Sequence, residues 1–156
     1  MSTVIVPADL TDARVVALVQ DHLDEMAPTA PEDARHALDL SGLQTPEVHL
    51  FTALVDGVPA ALGAVAFFGD RQGELKSMRT AAHVRGRGIG RLMLNHLIIH
   101  ATVSGLADLY LETGTHELFA PARAMYRSAG FLPCPPYGNY VANEHSIHMH
   151  LALDPR

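Results

Sequence analysis

A mixed α/β sheet is the fold the sequence predicts, and three observations carry it. Apolar residues recur at helical spacing near both ends of the chain. Between residues 48 and 81 the period changes to that of strands, in three segments separated by turn residues. A basic, glycine-rich stretch, "HVRGRGIGRLM" (83–93), then leads from the third segment into an apolar helix. The order is strand, helix, helix, three strands, helix, strand, helix, and a last strand or strands. The strands on either side of the 90–103 helix are therefore parallel neighbours. The 156 residues fit one domain, 1–156.

Residues 3–7, "TVIVP", form the first strand. A helix follows from Thr11, with Val15, Leu18, Val19, Leu23 and Met26 on one stripe and Asp9 or Thr11 as cap. His22 shares that stripe and reads as a core or boundary histidine. "PEDARHALDLSGL" is a shorter helical or irregular piece ending near Gly42. "VHLFTALV" (48–55), a turn at Asp56–Gly57, "AALGAVAFF" (60–68), a turn through Gly69 to Gly73, and "ELKSMRTA" (74–81) read as an antiparallel meander. Leu94, Leu97, Ile98 and Ala101 mark a buried helix face that stops at Gly105. "ADLYLET" (107–113) is a strand, residues 120–129 a helix carrying Ala122 and Tyr126 on one side, and "HSIHMHLAL" a final strand. The Pro-rich stretches 27–33 and 133–139 are loops.

Charge is unevenly placed in a chain of net charge -6. Six of the eleven Lys and Arg fall between 71 and 91, where Glu74 is the only acid, whereas residues 1–57 carry ten acids against Arg14 and Arg35. A nucleic-acid binder would show a broader basic face and a high pI, so a small polyanion held locally is the better match. No apolar run is long enough for a membrane span. The amino terminus shows no secretory pattern, and Cys134 alone permits neither an internal disulfide nor a cysteine metal site, so a cytoplasmic location is expected. His145, His148 and His150 lack a convincing further ligand set, and no metal is expected. Cys134 reads as a small packed hydrophobe.

The glycine stretch explains the local charge. A turn entering a helix presents unpaired N–H groups where the macrodipole also favours an anion. Gly86, Gly88 and Gly90 let the backbone adopt positive φ and approach a ligand closely, while Arg85, Arg87 and Arg91 add charged donors. Neither a Walker loop nor a dinucleotide fingerprint has this spacing. The chemistry is that of a pyrophosphate cradle.

Arg85-Gly86-Arg87-Gly88-Ile89-Gly90 resembles the Arg/Gln-x-x-Gly-x-Gly/Ala signature of the GCN5-related N-acetyltransferase (GNAT) superfamily. "ARAMYRSAGF" (122–131) is similar to that family's second recurring segment, a helix bearing a tyrosine and followed by Gly-Phe. More narrowly, "ELKSMRT", "LETGT" and "YRSAGFLPCPPYGNY" look like a bacterial branch of single-domain acetyltransferases of undefined acceptor. The resemblance implies a mostly antiparallel sheet with a splayed parallel pair, flanked by about four helices. It implies acetyl transfer from acetyl-CoA to a primary amine of a small molecule or amino acid, by direct attack in a ternary complex. The pyrophosphate would sit on the backbone of residues 86–91, including Ile89. The pantetheine arm would lie along Met78, Arg79 and Thr80, with a bulge near Met78 whose N–H polarises the thioester carbonyl. Tyr126 would be the general acid. Glu74, eleven residues before Arg85, would be the base, as in histone-acetylating relatives; an ion pair with Lys76 is the competing reading. Glu112 is a second candidate base. The acidic residues Asp21, Asp24, Glu25, Glu32, Asp33 and Asp39 sit where the acceptor is expected, although such charges usually form a solvated helix face. A non-catalytic acyl-CoA-sensing domain and acetylation of a protein amino group are the alternatives, and a homodimer would be common for the superfamily.

Overall fold

The computed structural model describes residues 2–31 and 36–154. Seven strands form one sheet in the order β1-β2-β3-β4-β5-β7-β6, antiparallel throughout except for the parallel pair β4–β5. β1 (Thr3–Pro7) is an edge strand on β2 (Val48–Val55). β2 turns into β3 (Val58–Phe68) through Asp56 and Gly57, both at positive φ as a two-residue hairpin turn requires. β4 (Gln72–Thr80) completes the meander. α3 (Ile89–Val103) crosses over to β5 (Asp108–Gly114), and α4 (Ala120–Ser128) leads on to β6 (Leu132–Cys134) and β7 (Ser146–Ala152). The sheet is thus the mixed, mostly antiparallel one expected.

Local details differ from the sequence reading. In α1 (Ala13–Met26) the cap is Asp12, whose side chain accepts from the Arg14 N–H, because Asp9 is occupied by the N–H and hydroxyl of Thr11. α2 is short, Leu40–Leu43, capped by Asp39. Residues 32–35 of the segment read as helical or irregular lie outside the described residues, so Glu32 and Asp33 are not placed. β6 falls where prolines pointed to a loop; an edge strand tolerates Pro133 because one side of its backbone needs no partner.

Residues 59–65 of β3 are buried without alternation, so the sheet is covered on both faces there. α1 and α3 are the long helices packed on this strand. Gly63 is what lets α3 settle: a Cβ at that position would lie 2.7 Å from Met93 Cγ and 2.8 Å from Leu97 Cδ1. Met93, Leu94, Leu97 and Ala101 are fully buried along the helix, with Leu109, Leu111, Phe131 and Met149 continuing the core.

The pairing of β4 with β5 runs from Gln72↔Asp108 to Leu75↔Leu111 and stops. Beyond it β4 still pairs with β3, but Ala64 lies opposite Lys76 and Leu62 opposite Arg79, so Ser77 and Met78 together face Gly63. Ser77 has φ 57. This bulge bends β4 and leaves its far edge without a strand from residue 76 onward.

Candidate active site

Two cavities open where β4 and β5 part. The larger, about 550 Å³, runs between the β4 edge (Met78, Arg79, Thr80), the start of α3 and α4. The smaller, about 120 Å³, lies between Lys76, Ser77, Glu112, Thr113 and His36. They share a wall made of His22, Met26, Met78, Phe119, Ala122 and Tyr126.

Arg85, Gly86, Gly88, Ile89, Gly90 and Arg91 line the larger cavity with the three β4 residues, whereas Arg87 is exposed and is not part of its lining. Gly86 and Gly88 have φ 80 and 79, and a Cβ on either would meet nothing within 4 Å. Their freedom serves the turn and an open approach. Gly88 caps α3 without any side-chain hydrogen bond. The first amide of the helix ladder is that of Leu92, bonded to the Gly88 carbonyl, so the N–H groups before it have no helical partner.

The arginines are less free than their number implies. Glu25, on α1, pairs with Arg79 and lies 3.1 Å from the Arg85 guanidinium, while Arg85 Nε donates to the Thr80 carbonyl at 2.9 Å. Burial opposes ionisation of Glu25, but the two guanidiniums outweigh it and hold the carboxyl below its ordinary range. Of the acidic residues read as lining the acceptor region, Glu25 thus serves the opposite cavity, Asp39 caps α2, and Asp21 and Asp24 are exposed. His22, read as a core histidine, is in the shared wall; burial, then Arg79, push its imidazole down to about 4.

Tyr126 is 6% exposed and packs edge-on to Phe131 at 6.0 Å. Its hydroxyl has no hydrogen-bond partner among the described residues, and burial pushes the phenol upward. Tyr126 lines both cavities.

Glu74 lines neither cavity. It is 7% exposed, and its Oε2 accepts from the Tyr137 hydroxyl at 2.6 Å and the Tyr140 hydroxyl at 2.8 Å, with Lys76 Nζ 3.5 Å away. Burial, reinforced by the Glu74 charge, pushes both phenols up. Lys76 Nζ donates to Tyr140 at 2.6 Å and to the His36 carbonyl at 2.9 Å. The pairing with Lys76 is therefore present, and the two tyrosines that complete it come from a loop that sequence spacing does not connect to β4.

Glu112 does line the smaller cavity. His36 Nδ1 lies 2.6 Å and 2.8 Å from its two oxygens, and His148 Nε2 lies 3.2 Å from Oε2 without hydrogen-bond alignment. His36 was not singled out from sequence; its contact with Glu112 spans 76 residues. Cys134 is half-buried on β6, outside both cavities. His150 pairs with Asp108 at 2.7 Å, and no cluster among the described residues is arranged to hold a metal ion.

The acetyltransferase (GNAT) family model matches residues 15–131. The chain belongs to this family. It is 39% identical over 141 residues to the uncharacterized N-acetyltransferase YsnE of Bacillus subtilis strain 168, covering 90% of this chain and 93% of that one. It is 33% identical over 145 residues to the IAA acetyltransferase of Azospirillum brasilense, covering 92% and 93%. Among solved structures it is similar to one from Klebsiella pneumoniae subsp. pneumoniae MGH 78578 named as an acyl-CoA N-acyltransferase, with TM-score 0.81, 27% identity and coverage of 97% and 98%. Membership of the family supports acyl transfer in general, and no helix among the described residues is long and apolar enough to cross a membrane.

Proposed function

We propose that the protein is a single-domain, cytoplasmic acetyltransferase that moves an acetyl group from acetyl-CoA to a primary amine of a small molecule or amino acid, by direct attack in a ternary complex. The observation that carries this reading is the pair of cavities that meet at Met78 and Tyr126. One suits a long anionic donor and the other a small acceptor.

The residues of the larger cavity fit coenzyme A. Gly86 and Gly88 leave open space where any Cβ would stand, and the uncapped start of α3 offers N–H donors to a diphosphate. Arg91 adds charge at the same end. The edge of Met78, Arg79 and Thr80, which has no neighbouring strand and whose Thr80 carbonyl is taken by Arg85, can accept a pantetheine arm at its remaining groups as a strand accepts a neighbour. When bound, acetyl-CoA supplies an activated acetyl group.

The chain's own residues do the rest. Met78 lies at the bulge, and its N–H is the donor we assign to the acetyl carbonyl oxygen, since a fixed donor acts most where charge develops. Tyr126 gives its proton to the departing sulfur. Burial keeps the phenol protonated, so the proton is present as the sulfur leaves; transfer from a phenol, ordinarily near ~10, to a thiolate whose conjugate acid lies near ~8.5 runs uphill and follows the breaking of the carbon–sulfur bond. Glu74, the base named by sequence spacing, has a support role here: it fixes Lys76 and the 137–140 loop against the acceptor cavity.

Thiol release from acetyl-CoA, measured against a panel of amines and amino acids, tests the reading. Acceptor-dependent release is expected, and Tyr126→Phe should lower kcat at least tenfold while leaving coenzyme A affinity within about twofold. Tight coenzyme A binding without release for any acceptor would overturn transfer in favour of a sensor.

A further inference from the structure

The smaller cavity is lined by a histidine and a carboxylate in direct contact. His36 Nδ1 contacts both oxygens of Glu112, at 2.6 Å and 2.8 Å. A carboxylate held against Nδ1 favours the tautomer with the proton on that nitrogen, which leaves Nε2 with a lone pair. The ring is held on its other sides as well. It stacks at a tilt on Tyr140, 4.8 Å between centroids, and its backbone carbonyl accepts from Lys76. His148 on β7, whose side chain is 4% exposed, lies 3.2 Å from Glu112 Oε2 without a hydrogen bond. The charged and titratable groups around the pair are Lys76 from β4, His148 from β7 and Tyr140 from the loop before it; His22 from α1, Tyr126 from α4 and His145 line the same cavity.

We propose that His36 and Glu112 form a dyad in which His36 Nε2 is the base for the acceptor amine and Glu112 is a positioning residue. The proposal rests on the acetyl-transfer reading and adds the base and the chemical class of acceptor to it. As the amine nitrogen bonds to the acetyl carbon, His36 Nε2 takes the proton that nitrogen sheds. The carbon–sulfur bond breaks with its electron pair on sulfur, and Tyr126 supplies the proton there. One proton is gained at His36 for each one lost at Tyr126, and solvent restores both. The acceptor this cavity takes is small, at about 120 Å³, and it enters as the neutral amine, whose lone pair forms the new bond.

Three measurements on the whole protein test the dyad. In ¹⁵N NMR, the neutral His36 ring should carry its proton on Nδ1, a preference lost in Glu112→Ala; an Nε2–H ring in the native protein would overturn the dyad. Using whichever panel amine supports release, His36→Ala should lower kcat/KM by about 100-fold, remove the acidic limb of its pH profile, and recover in part with added imidazole. Coenzyme A affinity by calorimetry should stay within about twofold of native in both variants, which shows that the fold and donor cleft survive. Native turnover and an unchanged pH profile in His36→Ala would overturn this proposal alone. Absence of release by the native protein with every amine would overturn the acetyl-transfer reading and the dyad with it.

Discussion

Removing the charge of Glu74 while keeping its shape separates two roles for that carboxylate. As a base it would have to reach the amine, and the isosteric amide would cost on the order of 10²–10⁴ in rate. In the structure it lines neither cavity and is engaged by Tyr137, Tyr140 and Lys76. Glu74→Gln is therefore expected to lower stability by about 1–3 kcal/mol, since a buried charged acceptor is lost beside an ammonium. Turnover should remain within tenfold. Chemical denaturation and thiol-release kinetics on the same sample decide the matter, and a hundredfold fall in kcat with unchanged stability would restore Glu74 as the base. The sequence made this residue prominent through its spacing from Arg85. It could not show the two tyrosines, 63 and 66 residues further along.

Among the elements, α3 matters twice: its face fills the core, and its first turn forms the proposed diphosphate seat. Both depend on how closely it lies against β3 at Gly63. A methyl group there would crowd Met93, Leu97 and Met78 at 2.7, 2.8 and 3.0 Å, an overpacking expected to cost about 1–3 kcal/mol. Gly57 offers the comparison: its φ is 82 and a Cβ would touch nothing within 4 Å, so Gly57→Ala meets only backbone strain, roughly 1 kcal/mol. Gly63→Ala should weaken coenzyme A binding as well as stability, because the helix start moves with its packed face. Gly57→Ala should lower stability alone. Equal coenzyme A affinity in both variants would show that the seat is independent of α3 packing.

At the scale of the whole molecule, the meander, the crossover through α3 and the parallel pair were legible because local periodicity and turn chemistry set them. The glycine turn was legible for the same reason. Groups joined only by the sheet order were not: Glu25 to Arg79, His36 to Glu112, and the 137–140 loop to Glu74 all depend on side chains meeting across tens of residues. His22 belongs with them. Its place on an apolar stripe was plain, but not its place in the wall between two cavities. That environment has a consequence for the stability of the entire fold. Burial, with Arg79, lowers the folded-state value of His22 from 6.5 to about 4, so between these values the unfolded chain binds the proton and the folded protein does not. Stability from the neutral ring is complete above about 6.5, falls as pH drops towards 4, and changes no further below it. The contribution lost by pH 5 is about 2 kcal/mol. His96 and His100 are also lowered by burial and act in the same direction, but they are present in native protein and in His22→Gln alike. Between pH 7.5 and pH 5 the native unfolding free energy should therefore fall by about 2 kcal/mol more than that of His22→Gln. Parallel loss in the two proteins would show that His22 is protonated in the folded state.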